Sequence, residues 1–249
     1  MSVAESKYIE KKAYLSRYTH ERLFALHEAE APVAGCGDDA EWSRFLKQEV
    51  VKFVPFLTRK CGLEFRGRIL EIGAGAAWLS AELSKLPRVV EVITTDISPK
   101  LLKEQAPKTF DVLNANRAKI TRMPGDFHAL DFPDNYFDYV VCSAVLAHAA
   151  NVIQVLREAK RVLKPSGRFV AIREPVQPLA KLKRHRNRIS GRAANYTLAH
   201  YKELFRQAAL PLEVKPVNLS SGFKYYLNKM VNGLTHARYA FVGTKRSRA

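Results

Sequence analysis

With 249 residues, 47% hydrophobic and 26% charged, this chain is long and apolar enough to bury a full core as one α/β domain with additions. No apolar run approaches the ~20 residues of a membrane helix, Met1 to Lys12 lacks the apolar centre of a secretory signal, and Cys36, Cys61 and Cys142 are odd in number and not at metal spacing, so the expected compartment is reducing and cytoplasmic. The net charge of +17, from 41 basic and 24 acidic residues, suits nucleic acid, anionic lipid or acidic small partners without choosing among them.

In chain order, residues 1 to about 30 read as amphipathic and helical, with Tyr8, Leu15, Tyr18, Leu23, Phe24 and Leu26 at the apolar positions. Ala31 to Asp39, with Pro32, Gly35 and Gly37, reads as a loop. Helical periodicity returns over Glu41 to Cys61 through Trp42, Phe45, Leu46, Val50, Phe53, Val54 and Leu57, and Gly62 ends it. Residues 1–65 are therefore expected to form a helical cap in front of a core spanning 66–249.

Arg68 to Leu79 (Arg-Ile-Leu-Glu-Ile-Gly-Ala-Gly-Ala-Ala-Trp-Leu) reads as a buried strand that enters a glycine turn and opens a helix near 76–86. Such a turn leaves backbone N–H groups free and lets a ligand approach closely. The dinucleotide pattern would need a glycine where Trp78 stands, and Glu71 beside the turn disfavours a pyrophosphate but suits a cofactor carrying an ammonium and a sulfonium. A second strand, near 89–95, ends in Asp96, 25 residues after Glu71, where an acid can accept both hydroxyls of a ribose. Ile97 follows and can lie along a base, and Ser98-Pro99 starts the next helix.

Further strands are expected near 119–123, 138–143, 168–173, 212–217 and 238–244, and further helices near 99–106, 111–116, 151–163 and 197–209. This alternation predicts a largely parallel sheet covered on both faces. Between strands 5 and 6 an insertion of about 176–195 contains Lys181 to Arg192, six basic residues in twelve, beyond the carboxyl end of a strand where ligands bind.

The strand-E-x-G-x-G run, Asp96, the stretch Pro124 to Cys142 with Asp126-Phe127 and Phe137-Asp138, Val145-Leu146-Ala147-His148, and Val162-Leu163-Lys164-Pro165-Ser166-Gly167 together resemble the class I S-adenosylmethionine (SAM)-dependent methyltransferases, in their small-molecule (UbiE-like) subfamily. The resemblance covers roughly residues 66 to 175; Ser166 replaces the usual first glycine of its motif, and Ala147 stands where a second histidine often sits. It implies a Rossmann-like seven-stranded sheet of order 3-2-1-4-5-7-6 with the last strand antiparallel. It also implies that SAM is the cofactor and that Glu71, Gly73, Ala74, Gly75, Asp96, Ile97, Asp126, Phe127 and Ser143 form its seat, with Asp126 on the adenine amino group.

Methyl transfer is an in-line displacement that needs positioning and, for an acceptor that must lose a proton, a base. His148, just after strand 4, is the first candidate base; Glu174, at the end of strand 5, is the second. Arg173 could hold an anionic group of the acceptor, and Tyr18 on the cap could touch it. No metal constellation is present in the sequence. The expected activity is methyl transfer to an O, N or C atom of an anionic small molecule or a carrier- or nucleotide-linked metabolite. RNA or DNA methylation is favoured only by charge: the chain reads Cys142-Ser143-Ala144-Val145 where a base-amino methylase would carry its D/N/S-P-P-aromatic tetrad. A SAM-binding module without catalysis is the third reading.

Overall fold

A computed structural model describes residues 5–10, 39–177, 196–219 and 238–247. Eight strands, β1 (Lys7–Tyr8), β2 (Gly67–Ile72), β3 (Val89–Asp96), β4 (Ile120–Pro124), β5 (Phe137–Ser143), β6 (Leu163–Pro175), β7 (Leu212–Pro216) and β8 (Arg238–Thr244), form one sheet of order β1-β4-β3-β2-β5-β6-β8-β7. The pairs from β1 to β6 are parallel, and β8 runs antiparallel to both β6 and β7. Leaving out β1, the order is the one expected.

The additional edge strand corrects the helical reading at Lys7–Tyr8, while residues 11–30 of that reading lie outside the described residues. β4 would otherwise expose a row of unpaired backbone groups; Ile9 N–H donates to the Arg122 carbonyl at 2.9 Å, and Arg122 in turn donates to the Ser6 carbonyl at 3.1 Å. Tyr8 completes the anchor, with the Lys103 ammonium 4.9 Å and the Arg122 guanidinium 5.6 Å from its ring centre. The expected loop over 31–39 and the basic run Lys181–Arg192 lie outside the described residues, except for Asp39.

Period-two alternation along the strands builds two apolar layers. Ile69, Val92, Tyr139, Val141, Val170 and Ile172 face one side, covered by α1 (Asp39–Gln48), α2 (Phe53–Cys61), α3 (Trp78–Ser84) and α4 (Ala106–Leu113). Leu70, Ile93, Val140, Cys142, Phe169 and Ala171 face the other, covered by α5 (Val152–Val162) and α6 (Leu198–Gln207). The helices expected at 99–106 and 111–116 are one run: a π-helical turn over Leu101–Gln105 leads into α4, which Asn114 closes at φ 51°. Among the described residues no helix is long and apolar enough to cross a membrane.

Candidate cofactor and acceptor site

The parallel strands β2 to β6 deliver their carboxyl ends to one rim of the sheet, the usual place for a ligand in this kind of fold. At the end of β2 the chain turns through Gly73 (φ 59°) and Gly75 (φ 53°) into α3, whose N-cap Ala77 is also left-handed at φ 58°. Gly73 is needed for space, because a Cβ there would lie 2.8 Å from a Val145 methyl. Gly75 differs: none of the described residues stands within 4 Å of where its Cβ would be.

Three acids surround this turn in three ways. Glu71, 1% exposed, accepts hydrogen bonds from the Ser80 N–H (2.8 Å) and the Ser80 hydroxyl, so it ties β2 to the first turn of α3. Burial pushes its carboxyl up to about 8, against the pull of the Ser80 bonds. Asp96 at the end of β3 accepts from Gly75 N–H at 2.7 Å through one oxygen and from Ser98 N–H at 2.9 Å through the other. Asp126, beyond β4, accepts through Oδ1 from the His128 N–H at 2.8 Å. The His128 ring then spans outward: Nε2 accepts from the Asn151 N–H at 3.3 Å, which leaves the proton on Nδ1, 2.9 Å from Asp126 Oδ1. Ile97 and Phe127 are both half-buried beside these acids. A cavity of about 510 Å³ lies against the Asp126 loop, lined among others by Thr95, Met123, Gly125, Phe132 and Glu158.

The other half of the rim comes from β5 and β6. Ser143 ends β5 with its hydroxyl buried and unpaired, and Ala144 (φ 56°) reverses the chain into a short helical turn, Leu146–His148, that leaves His148 exposed. Glu174 is fully buried, not at the cleft surface as its place at a strand end suggested. Its Oε1 accepts from Val145 N–H at 2.9 Å and Leu146 N–H at 3.2 Å, so it holds the turn that carries His148. Burial pushes its carboxyl up to about 7, against those backbone bonds.

The cause of this reversal is a bulge. Ala171 pairs with Phe241 and Glu174 with Tyr239, so Ile172 and Arg173 together face the single Ala240. Arg173 sits at φ 65°, and the extra residue shifts the alternation. Arg173 joins Ile172 on the α1–α3 face, its guanidinium 5.6, 5.7 and 6.0 Å from the ring centres of Phe45, Phe53 and Trp78. Glu174 falls on the opposite face, beside Cys142.

These residues fit a nucleoside cofactor with an amino-acid tail. The strand-end acids stand beside the turn, and the space at Gly75 lets a ligand reach the backbone. Sequence reasoning missed Ser80, His128 and Asn151 as supports of the acids. The Asp126-Phe127-His128 spacing and the Asn before an apolar helix were signals for the last two. Tyr18 lies outside the described residues.

Strand order, glycine turn and strand-end acids are those of the class I SAM-dependent methyltransferase fold, and the cofactor that fits this seat is SAM. Residues 70–171 match the model of a family described as a methyltransferase domain. Among curated proteins, the chain is 28% identical over 133 residues to the ubiquinone/menaquinone biosynthesis C-methyltransferase UbiE of Rickettsia akari, covering 52% of this chain and 50% of that protein. The chain thus spans about half the length of the curated relatives it matches. Among solved structures, the SAM-dependent methyltransferase of Mesorhizobium loti shares the fold at TM-score 0.60 and 16% identity, over 80% of this chain and 99% of that one. The [4+2]-cyclase SpnF shares it at TM-score 0.63 and 15% identity, over 81% and 82%.

Proposed function

We propose that this protein transfers a methyl group from SAM to an oxygen, nitrogen or carbon atom of an anionic small molecule or a carrier- or nucleotide-linked metabolite. The observation that carries this reading is the pairing of two buried acids, Asp96 and Asp126, at neighbouring strand ends beside a glycine turn with open space at Gly75. When bound, SAM supplies a methyl group on positively charged sulfur. Asp96 then takes the ribose hydroxyls, Asp126 the adenine amino group, and Ile97 and Phe127 flank the base. Glu71, Gly73, Ala74, Gly75 and Ser143 shape the seat of the methionine end. His148 is the base for an acceptor that must lose a proton, worth about 10²–10⁴-fold where one is needed. Glu174 acts through it, as a positioning residue for the Val145–His148 turn. Arg173 and Tyr18 belong to the acceptor side. The Rickettsia relatives, named for C-methylation in quinone biosynthesis, support a small-molecule acceptor and admit carbon as the accepting atom.

Calorimetric titration with S-adenosylhomocysteine tests the cofactor seat. The wild type is expected to bind, and Asp96→Ala to bind at least about tenfold more weakly, since hydrogen bonds to a charged partner contribute ~1.5–3 kcal/mol. Unchanged affinity in Asp96→Ala would remove the ribose assignment. Transfer of labelled methyl from SAM into anionic metabolite fractions then tests turnover, and its absence from every fraction would favour a non-catalytic SAM-binding module. A second reading, RNA methylation, draws on the net charge of +17; RNA binding that vanishes steeply with salt and brings no methyl incorporation would count against it.

A further inference from the structure

We propose that Arg173 is the receptor for a carboxylate group at the β6 end of the cleft. This rests on the methyl-transfer reading for its place in the reaction, and on the geometry around Arg173 for its chemistry. The guanidinium lies within 6.0 Å of three aromatic ring centres, those of Phe45, Phe53 and Trp78, which offer stacking but no hydrogen-bond acceptors. Its Nε is buried and unpaired. Among the described residues no carboxylate lies within ion-pair distance of it. Glu174, the adjacent acid, spends Oε1 on the Val145 and Leu146 N–H groups on the other side of the sheet.

Each of these features makes Arg173 expensive to the ligand-free protein. The residue holds a left-handed backbone at φ 65°, a conformation unfavourable for a long side chain. Burial, and then the nearby Arg238 charge, push its guanidinium below the ordinary arginine range. A simple apolar residue at the bulge would pack against the same three rings without these costs. An arginine kept there, desolvated and unserved, at the carboxyl end of a central strand, is matched by an anion that enters the cleft. The planar fork of its donors suits a carboxylate. The aromatic lining suits one attached to an apolar body. Two sources have this chemistry: the amino-acid carboxylate of SAM, or a carboxylate of the methyl acceptor.

The experiment compares wild type, Arg173→Met, which keeps the stem and removes the charge, and Arg173→Lys, which keeps the charge and removes the fork. Calorimetry measures S-adenosylhomocysteine, 5′-methylthioadenosine (which lacks the amino-acid tail), and benzoate as a probe carboxylate, the last with and without the nucleoside. If Arg173 holds the cofactor carboxylate, both variants bind S-adenosylhomocysteine at least about tenfold more weakly and methylthioadenosine unchanged. If it holds the acceptor, the nucleosides bind as in wild type, and benzoate, bound by wild type, is lost from both variants. Either result supports the receptor. Unaltered binding of all three probes in both variants would overturn it, as would a wild type that takes no benzoate while its variants keep full affinity for S-adenosylhomocysteine. Thermal melting without ligand supplies an independent readout: Arg173→Met is expected to melt at or above the wild-type temperature, and a drop of more than about 5 °C would mark a structural arginine and overturn the proposal. Wild type that binds benzoate but no nucleoside would sink the methyl-transfer reading and leave the carboxylate receptor standing.

Discussion

The two halves of the cleft rim are built on opposite principles. On the side of β2, β3 and β4, each functional acid stands at the end of a strand, and its carboxylate is occupied by a nearby N–H: Ser80 for Glu71, Gly75 for Asp96, His128 for Asp126. On the side of β5 and β6 the functional groups depend on an interruption of regular structure. His148 hangs on a short turn held by a buried acid from the neighbouring strand, and Arg173 sits on a bulge with its Nε buried and unpaired among the described residues. Local backbone capture makes the first half a preformed seat. The second half leaves polar groups unserved, Ser143 Oγ, Arg173 Nε and Glu174 Oε2 among them. Unserved buried groups cost stability, and each one in a folded protein calls for an explanation.

The largest effect is expected where the halves touch. Gly73 belongs to the cofactor turn, and a Cβ there would come within 2.8 and 2.9 Å of the two Val145 methyls, in a backbone at φ 59°. Valine is stiff at χ1 and anchored by Glu174 through its N–H, so it cannot swing aside. Gly73→Ala is therefore expected to cost about 3 kcal/mol in urea denaturation, the sum of overpacking and left-handed strain. Adding Val145→Ala should recover part of that loss. If the double variant is no more stable than Gly73→Ala alone, the halves are not coupled through this contact.

The difference between the halves also decides what could be read from the sequence. Strand-end acids are legible because a parallel strand announces itself by its apolar run and its last residue is thereby placed; Asp96 at the end of Val89–Asp96 is such a case. The parallel sheet followed from the alternation, and the order of its seven strands from the resemblance. Lys7–Tyr8 was not legible as a strand, since two residues carry no period and only the open edge of β4 gives them one. Arg173 and Glu174 were read at the right strand end but placed together facing the cleft. Regular alternation already separates neighbours, and the bulge then decides which face each one takes. No residue type marks that bulge: a left-handed arginine looks like any other arginine in a sequence. Phe45 and Phe53 were legible as the apolar face of a helix, while their meeting with a residue more than a hundred positions later was not.

The buried acid of the irregular half should reveal itself through pH. The Glu174 carboxyl stands at about 7 in the folded protein because burial disfavours its charge. Unfolded, it returns to the ordinary carboxylate range near 4.5. The folded state thus binds the proton more tightly, so the contribution of Glu174 is fully present below about pH 4.5 and is lost as pH rises through about 7. Glu174→Gln keeps an oxygen for the Val145 and Leu146 N–H groups and removes the titration. Its stability relative to wild type is expected to improve between pH 5 and pH 8, by on the order of 2–3 kcal/mol at most. Part of the wild-type slope will persist in the variant, because Glu71, pushed up to about 8 by the same cause, changes stability in the same direction. Parallel pH profiles for variant and wild type would mean that Glu174 stays charged in the folded protein, and that burial does not raise its carboxyl.

The smallest effect on stability should accompany a large effect on binding, at Gly75. Its φ of 53° is as left-handed as that of Gly73, but no described residue lies within 4 Å of an added Cβ. Gly75→Ala therefore meets only the conformational penalty, about 1 kcal/mol. The methyl would project into space left open beside the Asp96 carboxylate, which the Gly75 N–H holds at 2.7 Å. In the proposed seat that space belongs to the cofactor, so affinity for S-adenosylhomocysteine should fall by more than about tenfold, out of proportion to the change in stability. Gly73→Ala should show the reverse ratio, losing more in folding than in binding once the folded fraction is accounted for. Measuring both quantities on both variants separates a glycine that a neighbour requires from one that a ligand requires. If Gly75→Ala binds as well as wild type, the open space is not part of the seat, and the cofactor must approach the turn from the side of Asp126 alone.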